Sequence, residues 1–382
     1  MMFNLPKSNT ENNMKQERLM SLDTLRGFDM FFIMGLSGLV VSVCNLFPGT
    51  FAEEIANQMV HVEWNGLTHH DTIFPLFLFL AGVSFPYSYA NQLSKGMSRG
   101  QVYAKIFRRA VTLVFLGLIY NGLLKFDFEN LRCASVLARI GLAWMGAALL
   151  FINFSARTRA IICVVILVGY GLLSALVGAP DVIGADPLSR EGCLVGYIDR
   201  LYLPGRLIYD DNRFDPEGLL STIPAVVTAM LGMFTGELIR LPKERMSGEK
   251  KTLWMIAGGV ALLVITLLTK GVLPINKMLW SSTFVCAVGA YSLLMMALFY
   301  YIVDVRGWQK WTIVFRVVGM NSITIYLAQR MISFSTTNKF LFSGFSGLFP
   351  ENIQSVIMDT GYIVVCWLFL YFLYKKKTFL KV

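Results

Sequence analysis

All three histidines of the 382-residue chain lie within ten residues of one another, in the segment 61–71. Histidine is the side chain that takes up and releases protons near neutral pH, and its ring nitrogen can also accept an acyl group. A nearby carboxylate can fix the tautomer of an imidazole and stabilise its charged form. We therefore predict His61 and Asp71 as a catalytic pair, with Trp64 as a stacking face and Asn65 as a hydrogen-bonding amide for a substrate.

Other interpretations of this segment stay open. Histidine and carboxylate side chains also bind metals, but the spacing fits no zinc pattern, and no metal is expected here. Asp71 stands where an apolar run begins, so it could serve only as a helix N-cap. His69 and His70 are expected to be solvated residues at the membrane interface. His61 lies ten residues before the helix start, so capping does not account for it.

Further polar residues stand inside apolar runs or at their edges. Arg26 and Asp29 are three residues apart and can pair on one helix face, although Arg26 could instead reach lipid phosphates. Together with Arg108 and Arg109, they are candidates for binding an anionic cofactor from the cytoplasm. Arg139 lies about 9 Å inside a run at 1.5 Å per residue. A charge there costs about 2.5–3.5 kcal/mol, so we expect Arg139 to have a partner or a wet cavity and to bind substrate.

The composition around these residues is that of a membrane protein. Hydrophobic residues make up 55% of the chain and charged residues 15%, and the mean hydropathy is +0.58. Soluble domains carry about 25% charged residues. Apolar runs near the 20 residues that a crossing helix needs predict an all-α polytopic membrane protein with ten transmembrane helices. The predicted spans are 27–47, 72–92, 106–124, 134–153, 159–177, 220–239, 252–270, 279–303, 312–332 and 355–374.

The charges between the spans predict their orientation. Lysine and arginine collect in alternate connections and near both termini, whereas segment 48–71 has neither and carries four carboxylates. Because basic loops stay in the cytoplasm, both termini are predicted inside, and 48–71 and 178–219 outside. Residues 1–20 are expected to be a cytoplasmic tail rather than a cleaved signal peptide. Residues 21–382 then form a single membrane domain.

Charge and cysteine content exclude other classes of protein. The net charge of +10 fits basic cytoplasmic loops, and no nucleic-acid recognition motif is present. The six cysteines are scattered without a CxxC pair, so neither a disulfide framework nor a zinc site is expected. The aromatic, Asp and Arg residues of segment 178–219 suit either a sugar-like ligand or a structured lid without ligand contact. Gly232 and Gly236 form a GxxxG motif, which favours close helix packing.

Several motifs, taken in chain order from about residue 20 to 332, together resemble the heparan-α-glucosaminide N-acetyltransferase family. These motifs are Ser21-Leu22-Asp23-Thr24-Leu25-Arg26-Gly27; His61 with Trp64-Asn65-Gly66-Leu67-Thr68 and Asp71; Phe74-Pro75-Leu76-Phe77; Arg132, Val136-Leu137, Arg139 and Gly141; Asp215-Pro216-Glu217-Gly218 with Thr222-Ile223; Ile275-Asn276-Lys277 with Leu279-Trp280-Ser281; Val303-Asp304-Val305; and Gly319-Met320-Asn321-Ser322. Two family positions differ, since Ser37 stands where the family has asparagine and Ala138 where it has glutamine.

The resemblance implies that an acetyl group passes from cytoplasmic acetyl-CoA to an amino sugar or glycan beyond the membrane. It places His61 at the family's active-site histidine. It also adds Asp215, Glu217 and Asn276 to the predicted substrate-binding residues. Asn321 and Ser322 are polar within a span, and they either bind substrate or hydrogen-bond to a neighbouring helix.

The mechanism and the function both stay open at the level of the sequence. His61 could carry the acetyl group in two half-reactions, or it could deprotonate the acceptor while both substrates are bound. A sugar or muropeptide transporter, or a membrane subunit that keeps only the fold, are the alternative functions. Lipids, acetyl-CoA and the acceptor are the expected partners, a homodimer is possible, and the bacterial inner membrane is the expected location.

Overall fold

The computed structural model describes residues 19–380 except Pro48 and Asp211, so the predicted tail 1–20 lies outside the described residues apart from its last two positions. Within the described part the fold is helical, and its β contacts are isolated bridges such as Arg132 with Gly205. The α-helices in chain order are α1 (Met20–Phe31), α2 (Ser37–Cys44), α3 (Thr50–Asn57), α4 (His69–Ser94), α5 (Arg99–Tyr120), α6 (Val136–Asn153), α7 (Ala156–Leu176), α8 (Leu194–Tyr202), α9 (Thr222–Arg240), α10 (Gly248–Thr269), α11 (Ser282–Phe299), α12 (Ile313–Gly319), α13 (Ser322–Met331), α14 (Phe334–Ser346) and α15 (Glu351–Lys375).

Each predicted span overlaps one helix or two successive helices. In the described part, eight helical stretches are long and apolar enough to cross a membrane: α1 to α2, α4, α6, α7, α9, α10, α11 with its extension to Val305, and α15. The pair α12 and α13, bent by 55°, makes a ninth if it is one span. The remaining predicted span falls on α5, which has 22 residues but carries Lys105, Arg108 and Arg109. The all-helical, polytopic architecture is confirmed, whereas the count of ten and the side of the termini stay predictions.

Helix α4 defines the two ends of the bundle. Its 26 residues rise about 39 Å at 1.5 Å per residue, enough to cross a bilayer. Its apolar stretch is 67% buried, more than that of any other candidate span among the described residues. We call the end that holds His61 and His69 the histidine end. The opposite end, with Lys95 and Arg108, is the basic end.

Helices α4 and α9 cross in backbone contact. A Cβ built on Gly232 would lie 2.0 Å from the carbonyl oxygen of Phe79, and one on Gly82 would lie 2.1 Å from that of Ala229. A Cβ on Gly236 would lie 2.4 Å from the backbone of α4. No side chain fits at these distances, so the close packing predicted at Gly232 and Gly236 is confirmed.

Replacing Gly232 by alanine is expected to destabilise the fold by about 1–3 kcal/mol, because the added methyl group forces two backbones apart. Gly169→Ala is the matched control, since no atom lies within 4 Å of its Cβ position in α7. Alanine there should be neutral or slightly stabilising, because it favours helix more than glycine does. Thermal unfolding of both variants in one detergent measures the difference. Equal melting temperatures would contradict the packing argument.

The first span is interrupted beside the histidine segment. A π-helical stretch, Phe32–Leu36, joins α1 to α2, and within it Gly35 has φ +139°, a conformation that side-chain-bearing residues rarely adopt. The ring of Phe32 lies 4.4 Å from that of His69, measured between centroids. Single π turns inside α-helices are frequent at functional sites. The irregular part of this span therefore packs against the first residue of α4, two positions before Asp71.

Candidate active site

His61 and Asp71 are in contact at the histidine end. Nδ1 of His61 lies 2.7 Å from Oδ1 of Asp71, whose side chain is buried, while that of His61 is 50% exposed. Two lone pairs would repel at this distance, so Nδ1 carries the proton and donates it to the carboxylate. The lone pair on Nε2 of His61 is then free on an accessible side chain. This arrangement suits a base or a nucleophile.

The two oxygens of the Asp71 carboxylate have different partners. Oδ2 accepts a hydrogen bond from the backbone N–H of Thr68 at 3.3 Å and lies 2.9 Å from the hydroxyl oxygen of the same residue. Oδ1 faces His61. Because Asp71 is the third residue of α4, its carboxylate reaches back to the loop before the helix. The N-cap itself is Thr68 and not Asp71, but Asp71 completes a capping box from the third helical position, so helix capping and histidine pairing occur together.

Lys277 completes a triangle of polar groups with this pair, although the sequence motif that contains it assigned it no role. It lies in the connection 270–281 before α11, and its Nζ is 3.1 Å from Oδ1 of Asp71 and 3.0 Å from Nδ1 of His61. Because Nδ1 already donates to Asp71, Lys277 donates to the carboxylate and not to the imidazole. Burial lowers the pKa of Lys277, while the Asp71 carboxylate acts in the opposite direction.

Asn65 and Asn276 join the two loops that carry the triangle. Nδ2 of Asn276 donates to Oδ1 of Asn65 at 3.0 Å, and the backbone N–H of Gly66 donates to the carbonyl oxygen of Ile275 at 2.8 Å. Asn276 is fully buried, whereas Asn65 is exposed. Both amides were predicted to bind substrate. In the structure their shared hydrogen bond fixes the connection 270–281 against the segment 61–71.

Trp64 connects the histidine segment to the long connection 178–219. Its indole N–H donates to the carbonyl oxygen of Leu188 at 2.8 Å. The guanidinium of Arg190 lies 5.2 Å from the indole ring, and the ring of Phe214 packs edge-on at 5.6 Å. Protein groups therefore occupy the stacking face that was predicted for a substrate.

Asp215 and Glu217 both pair with Arg132, which precedes α6. Nε and Nη2 of Arg132 each lie 2.7 Å from an oxygen of the Asp215 carboxylate, and Nη2 also contacts Glu217. Although burial acts in the opposite direction, the two carboxylates raise the pKa of Arg132. The resemblance implied that these carboxylates bind substrate. In the structure their ion pairs with Arg132 hold the long connection against the loop before α6.

Arg139 is buried beneath the long connection, as its position inside a span predicted. Its Nη2 donates to the carbonyl oxygen of Gly218 at 3.3 Å and contacts the hydroxyl of Ser221. Its guanidinium also lies 4.9 Å from the ring of Trp280. Within the described residues, Nε and Nη1 of Arg139 have no hydrogen-bond partner. These two nitrogens carry three N–H groups, and both lie buried beneath the long connection.

His69 and His70 are half-buried rather than solvated, so that expectation is wrong. Nε2 of His69 lies 3.1 Å from the hydroxyl of Tyr291, and Nδ1 of His70 lies 3.1 Å from that of Ser37. Both begin α4, whose neighbours enclose them. Over residues 19–47, 49–210 and 212–380, no group of three His, Cys, Asp or Glu side chains is placed to hold a metal ion.

A cavity of about 540 Å³ reaches from the basic end into the bundle. Its wall on α4 runs from Phe77 to Tyr87, about 15 Å at 1.5 Å per residue. Arg26 and Arg109 line it, as does Ser322 from the bent pair α12 and α13. Ser322 thus lies with the residues predicted to bind the cofactor.

A second cavity of about 440 Å³ adjoins the first and shares Arg109 with it. Its cationic lining residues are Lys95, Lys105, Arg108 and Arg109. The guanidinium of Arg109 stacks 4.2 Å from the ring of Trp144, which fixes it where the two cavities meet. Cations gathered in this way suit a ligand with several phosphate groups.

Asp29 and Asn321 do not line either cavity. Asp29 is 2% exposed, and Arg26 forms an ion pair with Asp23 at 3.6 Å, one turn towards the start of α1. Asn321 lies at the bend between α12 and α13, where its amide is 3.4 Å from the carbonyl oxygen of Val317. Its hydrogen bond is thus local to the bent pair.

Comparison with known proteins adds relatives to this geometry. No protein-family model matches the sequence. The chain is 29% identical over 417 aligned positions to the heparan-alpha-glucosaminide N-acetyltransferase of Homo sapiens, and 27% identical over 419 positions to that of Mus musculus. Both alignments cover 96% of this chain but only 60% and 62% of the relatives, so the chain spans about three fifths of their length. The resemblance predicted from the motifs is therefore confirmed: along nearly its whole length the chain is similar to heparan-α-glucosaminide N-acetyltransferases.

Proposed function

We propose that this protein transfers an acetyl group from acetyl-CoA at the basic end to an amino sugar or glycan at the histidine end. One observation carries the proposal. The same helix, α4, carries Asp71, the hydrogen-bond partner of His61, in its first turn and lines both cationic cavities further along. The similarity to N-acetyltransferases supports the type of reaction. By the positive-inside rule the basic end faces the cytoplasm, and we propose a bacterial inner membrane as the site.

The two cavities suit the two parts of the donor. The phosphates of acetyl-CoA would bind the cations of the second cavity. The pantetheine arm would follow the first cavity, whose walls include Leu113, Leu137 and Ile140. Phe77, at the inner limit of that cavity on α4, lies six residues after Asp71, a rise of about 9 Å. The thioester would therefore approach the catalytic pair from the side of the basic end.

His61 acts through Nε2 in either scheme. In the first, Nε2 attacks the thioester carbonyl carbon, the C–S bond breaks and CoA leaves as the thiolate. The acceptor amine then attacks the acetyl-imidazole, the bond to Nε2 breaks and the amine loses a proton. In the second, Nε2 takes the amine proton while the amine attacks the thioester directly. In both, Asp71 stabilises the positive charge that the imidazole acquires.

Proteoliposomes of known protein orientation test the proposal. Labelled acetyl-CoA is supplied on one side of the membrane and glucosamine on the other. We expect labelled N-acetylglucosamine only when the donor faces the basic end and the acceptor the histidine end. Vesicles that hold His61→Ala protein control for uncatalysed acetylation. If the wild-type protein labels no acceptor in either arrangement, for glucosamine and for longer amino-sugar oligomers alike, the proposal is wrong.

A further inference from the structure

Lys277 contacts both members of the catalytic pair, yet the proposed chemistry assigns it no part. A carboxylate that accepts the Nδ1 proton of an imidazole stabilises the charged imidazolium. A base or a nucleophile must instead be neutral before it reacts. Asp71 alone would therefore orient His61 correctly but also favour its unreactive form. The ammonium group 3.0 Å from Nδ1 opposes that second effect.

We infer that Lys277 is a positioning residue whose charge offsets Asp71, so that the carboxylate fixes the tautomer of His61 without converting it to imidazolium. This inference rests on the proposed acetyl transfer for its purpose, and on contacts within the chain for its physical basis. Like charges close together disfavour ionisation of either one, and the effect grows as water is excluded. The side chain of Lys277 is only 13% exposed.

The titratable groups that surround His61 come from two parts of the chain. From α4 come Asp71 and His70, whose ring lies 4.4 Å from that of His61 between centroids. From the connection 270–281 comes Lys277. Glu217 and Arg139 also act on the charge of the lysine, with opposite signs.

The segment that carries the lysine is fixed against the histidine segment, which keeps the ammonium group beside the imidazole. Its neighbour Asn276 is fully buried and bonded to Asn65, and Ile275 accepts from Gly66. In the two-step scheme this has a second consequence. An imidazole acetylated on Nε2 and still protonated on Nδ1 is a cation, and the nearby ammonium raises its free energy. Attack by the acceptor amine relieves that repulsion, because the acetyl group leaves with the amine and the imidazole becomes neutral.

The state of His61 can be measured without any acetyl transfer. Diethyl pyrocarbonate carbethoxylates neutral imidazole but not imidazolium, and mass spectrometry of the peptide with His61 gives the extent of reaction at each pH. In the neutral variants Lys277→Met and Lys277→Gln, we expect the midpoint of this curve to move up by about one to two pH units. Lys277→Arg keeps the charge and should keep the wild-type midpoint. Lys270→Met, an exposed lysine in the same connection, is the matched control.

Acetyl transfer gives the second readout. The acid limb of the pH–activity profile should move up by the same amount in both neutral variants, so that activity lost at neutral pH returns at alkaline pH. Carbethoxylation curves that superimpose on the wild type, with transfer lowered equally at every pH, would show a merely structural lysine and overturn the inference. A shifted carbethoxylation curve in a protein that transfers no acetyl group would uphold the charge effect and remove the proposed function instead.

Discussion

Replacing His61 by alanine is expected to lower the rate of acetyl transfer about a thousandfold, the typical contribution of a positioned acid–base group. His69 and His70 cannot take its place, because their rings face Tyr291 and Ser37 inside the bundle. The measurement is transfer from labelled acetyl-CoA in membranes that contain equal amounts of folded protein. His69→Gln is the matched control, and it should keep most of the activity. A fully active His61→Ala protein would contradict the assigned chemistry.

The same variant separates the two schemes when acetyl-CoA is supplied without an acceptor. In the two-step scheme the wild-type protein becomes labelled, and hydroxylamine releases the label as acetohydroxamate, because acetyl-imidazole is a reactive acyl donor. His61→Ala should then carry no such label. Rapid transfer to an acceptor by a wild-type protein that never becomes labelled would point to direct transfer.

The positions of the long apolar helices could be predicted because a membrane span depends mainly on the local run of apolar residues. The short helices between them, α3, α8 and α14, were not predicted. The breaks inside the spans could not. The π-helical stretch Phe32–Leu36 contains no proline, and the sequence around Gly35 does not predict its φ of +139°. The 55° bend between α12 and α13 is likewise not marked by proline. Such breaks are stable only where neighbouring helices satisfy the freed backbone groups.

The contact between His61 and Asp71 could be predicted because the two residues are ten positions apart in one segment that holds every histidine of the chain. Lys277 lies 206 residues from Asp71, and Arg132 lies 83 residues from Asp215. These contacts form only when distant connections pack together at the histidine end, so no local spacing indicates them. The motif Ile275-Asn276-Lys277 marked the right segment but gave the lysine no partner. Trp64 was predicted to stack on a ligand, but residues of the long connection 178–219 pack against its ring instead. Its position in the segment 61–71 gave no indication of these distant contacts.

Arg108→Met is expected to weaken the binding of acetyl-CoA and to leave the chemical step nearly unchanged. A hydrogen bond to a charged group contributes about 1.5–3 kcal/mol, so KM for the donor should rise roughly tenfold to a hundredfold. The turnover rate should change little, because the second cavity lies at the end of α4 opposite to His61. Arg157→Met is the matched control, since Arg157 is an exposed arginine of α7 that lines neither cavity.

A shortened donor identifies the group that Arg108 binds. If the arginine contacts the 3′-phosphate, 3′-dephospho-acetyl-CoA should bind the wild-type protein about as weakly as acetyl-CoA binds Arg108→Met. Combining the variant with the shortened donor should then lower the binding affinity little more than either change alone, because each removes the same interaction. Losses that simply add would place the 3′-phosphate elsewhere. Arg109→Met should weaken both donors alike, because Arg109 borders both cavities and its loss disturbs the passage between them.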